Sequence, residues 1–308
     1  MKEDGTGLKS KQAFGFPKPH ETINLAFVGD SFCGDHSKHF VGPMQEAFLG
    51  FGPERREIKP TDFSCSEHSY IDLIVEKFNK DPLKAKVEVL CRGLGGSCLY
   101  QAYKTLLTII DRADYIIFCI TDANRIASKM FITLDPSFFK GNNWKLENWP
   151  ASWQRAGLSD SESEQMFLAV KLYYENIMSV AYNRMAQKGI LMQIDELLLQ
   201  KKKKCIWFPC FEDELSMQGF IPKSGPIADL PLNEISMQEP VDIWAINNLD
   251  NIDVRLNHFN NENNNNMANL ILDIIASDDF TPREIKMADY FPVQLKDNFN
   301  EETMLSFK

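Results

Sequence analysis

One stretch constrains this chain more than any other, Ile23-Asn24-Leu25-Ala26-Phe27-Val28-Gly29-Asp30-Ser31. Apolar residues run straight into Gly29 with no regular polar alternation. That pattern fits a strand buried on both faces, as in a parallel sheet covered by helices. Gly29-Asp30-Ser31 lets the backbone turn sharply where the strand leaves the sheet. Ser31 then stands at the carboxyl end of a buried strand, where open α/β sheets place their ligands. Alone, the tripeptide reads as an ordinary strand-to-loop turn; three later stretches supply what a nucleophilic serine needs.

Residues 70–79 carry apolar positions at helical spacing until Asp81-Pro82 breaks the pattern. A second strand over 86–91 leads into the turn Arg92-Gly93-Leu94-Gly95-Gly96-Ser97. An amphipathic helix over 99–110 follows, then a third buried strand over 115–120 that ends in Thr121-Asp122-Ala123-Asn124-Arg125. Alternating strands and helices predict a three-layer α/β/α sandwich around a parallel sheet of about five strands. Residues 130–160 read as an aromatic-rich insertion with Phe138, Phe139, Trp144, Trp149 and Trp153. A long helical stretch spans 161–200, with Gly189 as its expected division. A fourth strand covers 205–209, and 211–240 read as loop. Residues 241–246 suit a fifth strand or a short helix, and 263–275 a closing helix. The last thirty residues show no clear pattern. The expected organisation is an N-terminal arm (1–20), one domain (21–278) and a C-terminal extension (279–308).

The 308 residues fit one α/β domain with insertions. A net charge of −10 argues against nucleic acid as the main partner, which needs a basic footprint. The basic run Lys201 to Lys204 reads as a solvated helix end, where lysines meet the negative end of the helix dipole. The first twenty residues hold no apolar core of a secretory signal, and no stretch is long enough to span a membrane. Seven cysteines at spacings without a zinc pattern point to a reduced, cytoplasmic site of synthesis. A virus-encoded or particle-associated protein fits equally well. Cys91, Cys119 and Cys205 lie in apolar runs and read as core residues.

The carboxyl ends of the first three strands carry Ser31, then Gly95-Gly96, then Asn124, and a parallel sheet brings such ends to one edge. Asp253 and His258 precede the closing helix. These are the groups acyl transfer requires. A serine hydroxyl needs a base, histidine titrates near neutrality, a carboxylate fixes its tautomer, and N–H donors stabilise the oxyanion.

On these residues the chain resembles the SGNH/GDSL hydrolases, esterases and lipases with a flavodoxin-like three-layer fold. Gly29-Asp30-Ser31 matches the first block, and Gly96 is the best match to the glycine of the second. Asn124 keeps the asparagine of the third block, with Asp122 replacing its glycine and Arg125 its aspartate. In the fifth block Asp253 lies five residues before His258 instead of three. The resemblance covers about 23–125 and 241–276. It implies Ser31 as nucleophile, His258 as general base and Asp253 as orienting acid, with Asp250 as rival. It also implies an oxyanion hole of the Ser31 N–H, the Gly96 N–H and the Asn124 side chain. Arg125 is expected to neutralise Asp122 as an ion pair. The implied substrate is a small-molecule or carbohydrate ester, and no metal or organic cofactor is implied. Oligomeric state is not readable.

Two rival readings stand beside this one. The altered third and fifth blocks suit a catalytically inactive binding or structural module of the same fold. Gly93-x-Gly95, after a strand and before a helix, imitates a dinucleotide fingerprint, although Cys98 stands at its third glycine position. Three local features have plainer readings. His36 and His39 with Asp35 suit a solvated loop better than a metal site. Cys33 suits packing better than reactivity. The tryptophans suit an insertion's own small core better than a sugar site.

Overall fold

A computed structural model describes residues 22–33, 69–80, 86–93, 97–127, 133–134, 159–211, 220–236, 259 and 261–291. The elements in chain order are β1 (Thr22–Val28), α1 (Tyr70–Asn79), β2 (Lys86–Cys91), α2 (Leu99–Ile109) and β3 (Tyr115–Ile120). A short antiparallel pair follows, β4 (Ile126–Ala127) with β5 (Thr133–Leu134). Then come α3 (Asp160–Asn176), α4 (Val180–Gln200), β6 (Lys204–Pro209), β7 (Ile227–Ala228), α5 (Leu232–Ser236), α6 (Asn261–Ser277) and β8 (Glu284–Ile285).

Six strands form the central sheet in the order β2-β1-β3-β6-β7-β8, each pair parallel. The order starts at β1, steps outward to β2, then reverses through β3. That is the doubly wound arrangement, with its switch point between β1 and β3. Two helical layers cover the sheet. Ile23, Leu25 and Phe27 of β1 pack with α1 and α6, while Ala26 and Val28 pack with α2 and α4. The alternation has period two yet both sides are apolar, because each face meets a helix. The fold is therefore the expected three-layer α/β/α sandwich, with six strands where about five were read.

Local chemistry sets the helix boundaries. Ser69 caps α1, accepting from the Asp72 N–H at 3.3 Å, while Asp72 Oδ2 accepts back from the Ser69 N–H at 3.3 Å. Ser159 and Glu162 form the same reciprocal cap on α3. The division expected at Gly189 falls instead at 177–179. There Ser179 caps α4 by accepting from the Tyr182 N–H at 3.2 Å, and Gly189 lies inside α4. A serine that satisfies an orphan N–H defines a helix start more strongly than one glycine defines an end.

The tail joins the sheet. Glu284–Ile285 pair with β7, and Met287 and Phe291 are buried against α6 and its neighbours. Within the stretch read as loop, β7 and α5 are formed. Asp195 of α4 receives the N–H groups of Lys223 and Ser224, both at 2.9 Å, and so anchors the segment entering β7. The possible fifth strand or helix at 241–246 lies outside the described residues, as do the N-terminal arm and nearly all of the aromatic insertion. No helix among the described residues is long and apolar enough to cross a membrane.

Candidate functional site

β1 ends against β3, and the contact leaves no room for a side chain. Gly29 has φ +150°, and a Cβ there would stand 2.5 Å from the Cys119 carbonyl oxygen. Only glycine permits this approach. Ser31 then opens a 3-10 turn, Ser31–Cys33, at the carboxyl end of β1. The turn is held from several sides. Cys33 N–H donates to the Asp30 carbonyl at 3.2 Å, and Gly93 N–H donates to the Cys33 carbonyl at 2.7 Å. The buried Ser97 hydroxyl donates to the Gly29 carbonyl at 2.7 Å.

Gly93 is the glycine of the post-β2 turn that meets the serine turn. A Cβ on it would lie 2.4 Å from Cys33 Sγ and 2.5 Å from the Asp30 carbonyl oxygen. Its missing side chain serves packing inside the chain, which gives Gly93 a role unrelated to a nucleotide. Gly96 lies outside the described residues.

Asp30 is fully buried. Its Oδ1 accepts from the Phe32 N–H at 3.0 Å, and its Oδ2 meets Arg125 Nη1 at 2.8 Å. Arg125 is itself only 9% exposed, and its guanidinium lies 4.7 Å from the centroid of the Phe211 ring beyond β6. Burial pushes the Asp30 carboxyl up to about 6, although Arg125 and the Phe32 N–H pull the other way. The partner of Arg125 expected from the sequence was Asp122. Its ion pair is with Asp30, and Asp122 Oδ1 instead accepts the Asn124 N–H at 2.8 Å. Asp122 is therefore engaged within its own turn, where a short aspartate side chain readily accepts from an N–H two residues on.

Asn124 stands in the turn after β3, on the other side of the switch point from Ser31. Its backbone carbonyl accepts from the Tyr174 hydroxyl of α3 at 3.3 Å. Its side-chain Oδ1 is buried and has no partner among the described residues. Gln187 of α4 donates through Nε2 to the Thr121 carbonyl. The β3 turn is thus braced by α3 and α4, two contacts for which the sequence carries no signal beyond polar residues on helices.

Two thiols near the turn, Cys33 and Cys210, are packing groups. Cys33, Cys119 and Cys210 are each fully buried, and burial holds the Cys33 and Cys210 thiols well above the ordinary range. The packing reading of Cys33 agrees with this. Among the described residues, no cluster of histidine, cysteine or carboxylate side chains is arranged to hold a metal ion. His36, His39 and Asp35 lie outside them.

The sheet brings the Ser31 backbone, the Asp30–Arg125 pair and the Asn124 turn to one edge. The side chain of Ser31 and residues Asp250, Asp253 and His258 are outside what is described. Phe259, the residue after His258, is buried against Phe32 with ring centroids 5.9 Å apart. Phe259 therefore lies beside the serine turn. Asp30, Phe211, Tyr174 and Gln187 were not singled out in the sequence. Asp30 alone had a signal there, its place in the Gly-Asp-Ser motif.

No family model and no curated protein matches this chain. Among solved structures, that of the acetyl xylan esterase AlAXEase aligns over 93% of this chain and 85% of that one, with 11% identity and a TM-score of 0.32.

Proposed function

We propose that this chain is a serine ester hydrolase of the SGNH/GDSL type, acting through an acyl-Ser31 intermediate. The observation that carries the reading is the pairing of two strand tips across the switch point. The Gly29-Asp30-Ser31 turn ends β1 and the Asn124 turn ends β3, and β1 and β3 are adjacent parallel strands. This is the crevice where open α/β folds place their chemistry.

In the proposed reaction, His258 takes the hydroxyl proton of Ser31 as the oxygen attacks the ester carbonyl. The tetrahedral oxyanion receives the Ser31 N–H, the Gly96 N–H and the Asn124 amide. His258 then protonates the departing alcohol, and water cleaves the acyl-serine by the same route in reverse. Asp253 orients the imidazole. The contact of Phe259 with Phe32 supports the reading, since Phe259 follows His258 in the sequence and is itself buried against the serine turn. The substrate proposed is a small-molecule or carbohydrate ester.

A fluorophosphonate probe tests the reading. Labelling of the native protein that disappears in Ser31→Ala supports a hydrolase. The absence of labelling in a folded protein supports the inactive binding module instead. A panel of acetyl and longer-chain esters then separates acyl classes.

A further inference from the structure

We propose that Arg125 is a positioning residue for Ser31, clamping the serine turn of β1 to the tips of β3 and β6 through Asp30. The inference rests on the hydrolase reading for its catalytic consequence, but its structural content stands apart from it.

Arg125 leaves the chain five residues after β3 ends, and its Nη1 reaches across to Asp30 Oδ2 at 2.8 Å. The other carboxylate oxygen, Oδ1, holds the Phe32 N–H at 3.0 Å. One carboxylate therefore ties the guanidinium to the backbone on the far side of Ser31. The guanidinium carbon stands over the Phe211 ring, 4.7 Å from its centroid, and Phe211 itself packs edge-on to Phe32 at 5.8 Å between centroids. Asp30 and Phe32 flank Ser31 in sequence, and both are fastened to the Arg125–Phe211 unit. The serine between them has its backbone position set by these contacts.

The pair is poorly explained as a source of stability. Asp30 and Arg125 have both left water, and desolvation of such pairs commonly cancels their attraction. Burial outweighs the arginine's help at Asp30, whose carboxyl is raised towards 6. Among the described residues Cys33, Cys119 and Cys210 are the other titratable groups near this carboxylate, and none adds a positive charge. A charge kept at such a cost, at the tip of the strand that bears the serine, fits a demand for geometry. Arginine suits the task because its planar fork can hold a carboxylate while its face stacks on a ring, which lysine does not reproduce.

The test uses Arg125→Met, Arg125→Lys and the double variant Asp30→Asn/Arg125→Met in the full chain. The double variant leaves neither charge stranded, so it keeps the test available if the single change unfolds the protein. Two readouts are followed, the fluorophosphonate labelling rate at Ser31 and hydrogen exchange of the Phe32 and Cys33 amides. In the folded variants lacking Arg125, amide exchange in the turn is expected to quicken about 10-fold or more, with exchange in α2 and α4 unchanged. Labelling is expected to slow about 100-fold, as for a misplaced reacting group. Ester turnover should lose kcat with little change in KM, and Arg125→Lys should recover part of the loss. Unchanged exchange in the turn of the double variant overturns the clamp. Faster exchange with unchanged labelling overturns its catalytic consequence. If the native protein is not labelled at all while exchange still responds, the hydrolase reading fails and the clamp stands.

Discussion

Asp30 is the residue at which stability and geometry pull apart. Its folded carboxyl lies near 6, above the ordinary 3.8, because burial disfavours the charge. The folded state therefore binds the proton more tightly than the unfolded chain between those values, and stability contributed by Asp30 falls as pH rises through that window. A displacement of this size corresponds to about 3 kcal/mol. Measured by denaturant unfolding, the stability of the native protein relative to Asp30→Asn is expected to decline from pH 4 to pH 7, whatever the offset between the two. A flat difference would show that Asp30 titrates normally. Gly29 gives a second prediction at this scale. Gly29→Ala must place a Cβ 2.5 Å from the Cys119 carbonyl at a positive φ, so a loss of at least about 2 kcal/mol is expected in the same measurement. The sequence made the glycine of Gly-Asp-Ser legible as a turn. It did not reveal that β3 lies directly beneath it.

At the scale of elements, α4 shows how a helix records its surroundings. Asn183, Gln187, Leu191, Ile194, Asp195 and Leu198 form its buried stripe. Leu191, Ile194 and Leu198 of the stripe join the core, while Gln187 meets the Thr121 carbonyl at the tip of β3 and Asp195 the N–H groups that lead into β7. Gly189 is on the exposed side, with nothing within 4 Å of where a Cβ would stand. Gly189→Ala is therefore expected to stabilise the protein by about 0.5–1 kcal/mol, read as a higher midpoint in denaturant. A destabilising outcome would place the helix break at Gly189 after all. Ser69 offers the opposite case. Its capping box starts α1, and Arg92 Nη2 reaches Asp72 Oδ1 of that box at 2.5 Å, joining the helix start to the turn after β2. Ser69→Ala is expected to cost about 1 kcal/mol by unfolding. These helices were visible in the sequence through their periodicity, but their ends depended on which polar side chains found backbone partners.

Across the whole molecule, the tail and the closing helix lock one side of the sandwich. Asn264 of α6 accepts the Tyr70 N–H of α1 at 2.9 Å, so the asparagine-rich segment fastens the two helices on that face. β8 extends the sheet beyond β7, and Met287 and Phe291 complete the same core. Removing residues 279–308 is therefore expected to leave apolar surface uncovered, read as increased binding of a hydrophobic dye and a lower melting temperature. A truncated chain with the native melting temperature would show the tail to be dispensable. The basic run at the end of α4 also finds partners within the chain. Lys201 meets Asp111 at 2.8 Å, and Lys203 donates to the Ala113 carbonyl at 2.8 Å. What the sequence determined by itself was the layering, because uninterrupted apolar strands alternating with amphipathic helices have few other ways to bury both faces. It also placed the strand ends that carry Ser31 and Asn124 at one edge of the sheet. Tertiary structure alone decided that Arg125 faces Asp30, that Gly93 seats the serine turn and that the tail supplies a strand. Those contacts join residues far apart in the chain, and their partners are chosen by which groups the packed sheet leaves within reach, a choice with no periodic trace in the sequence.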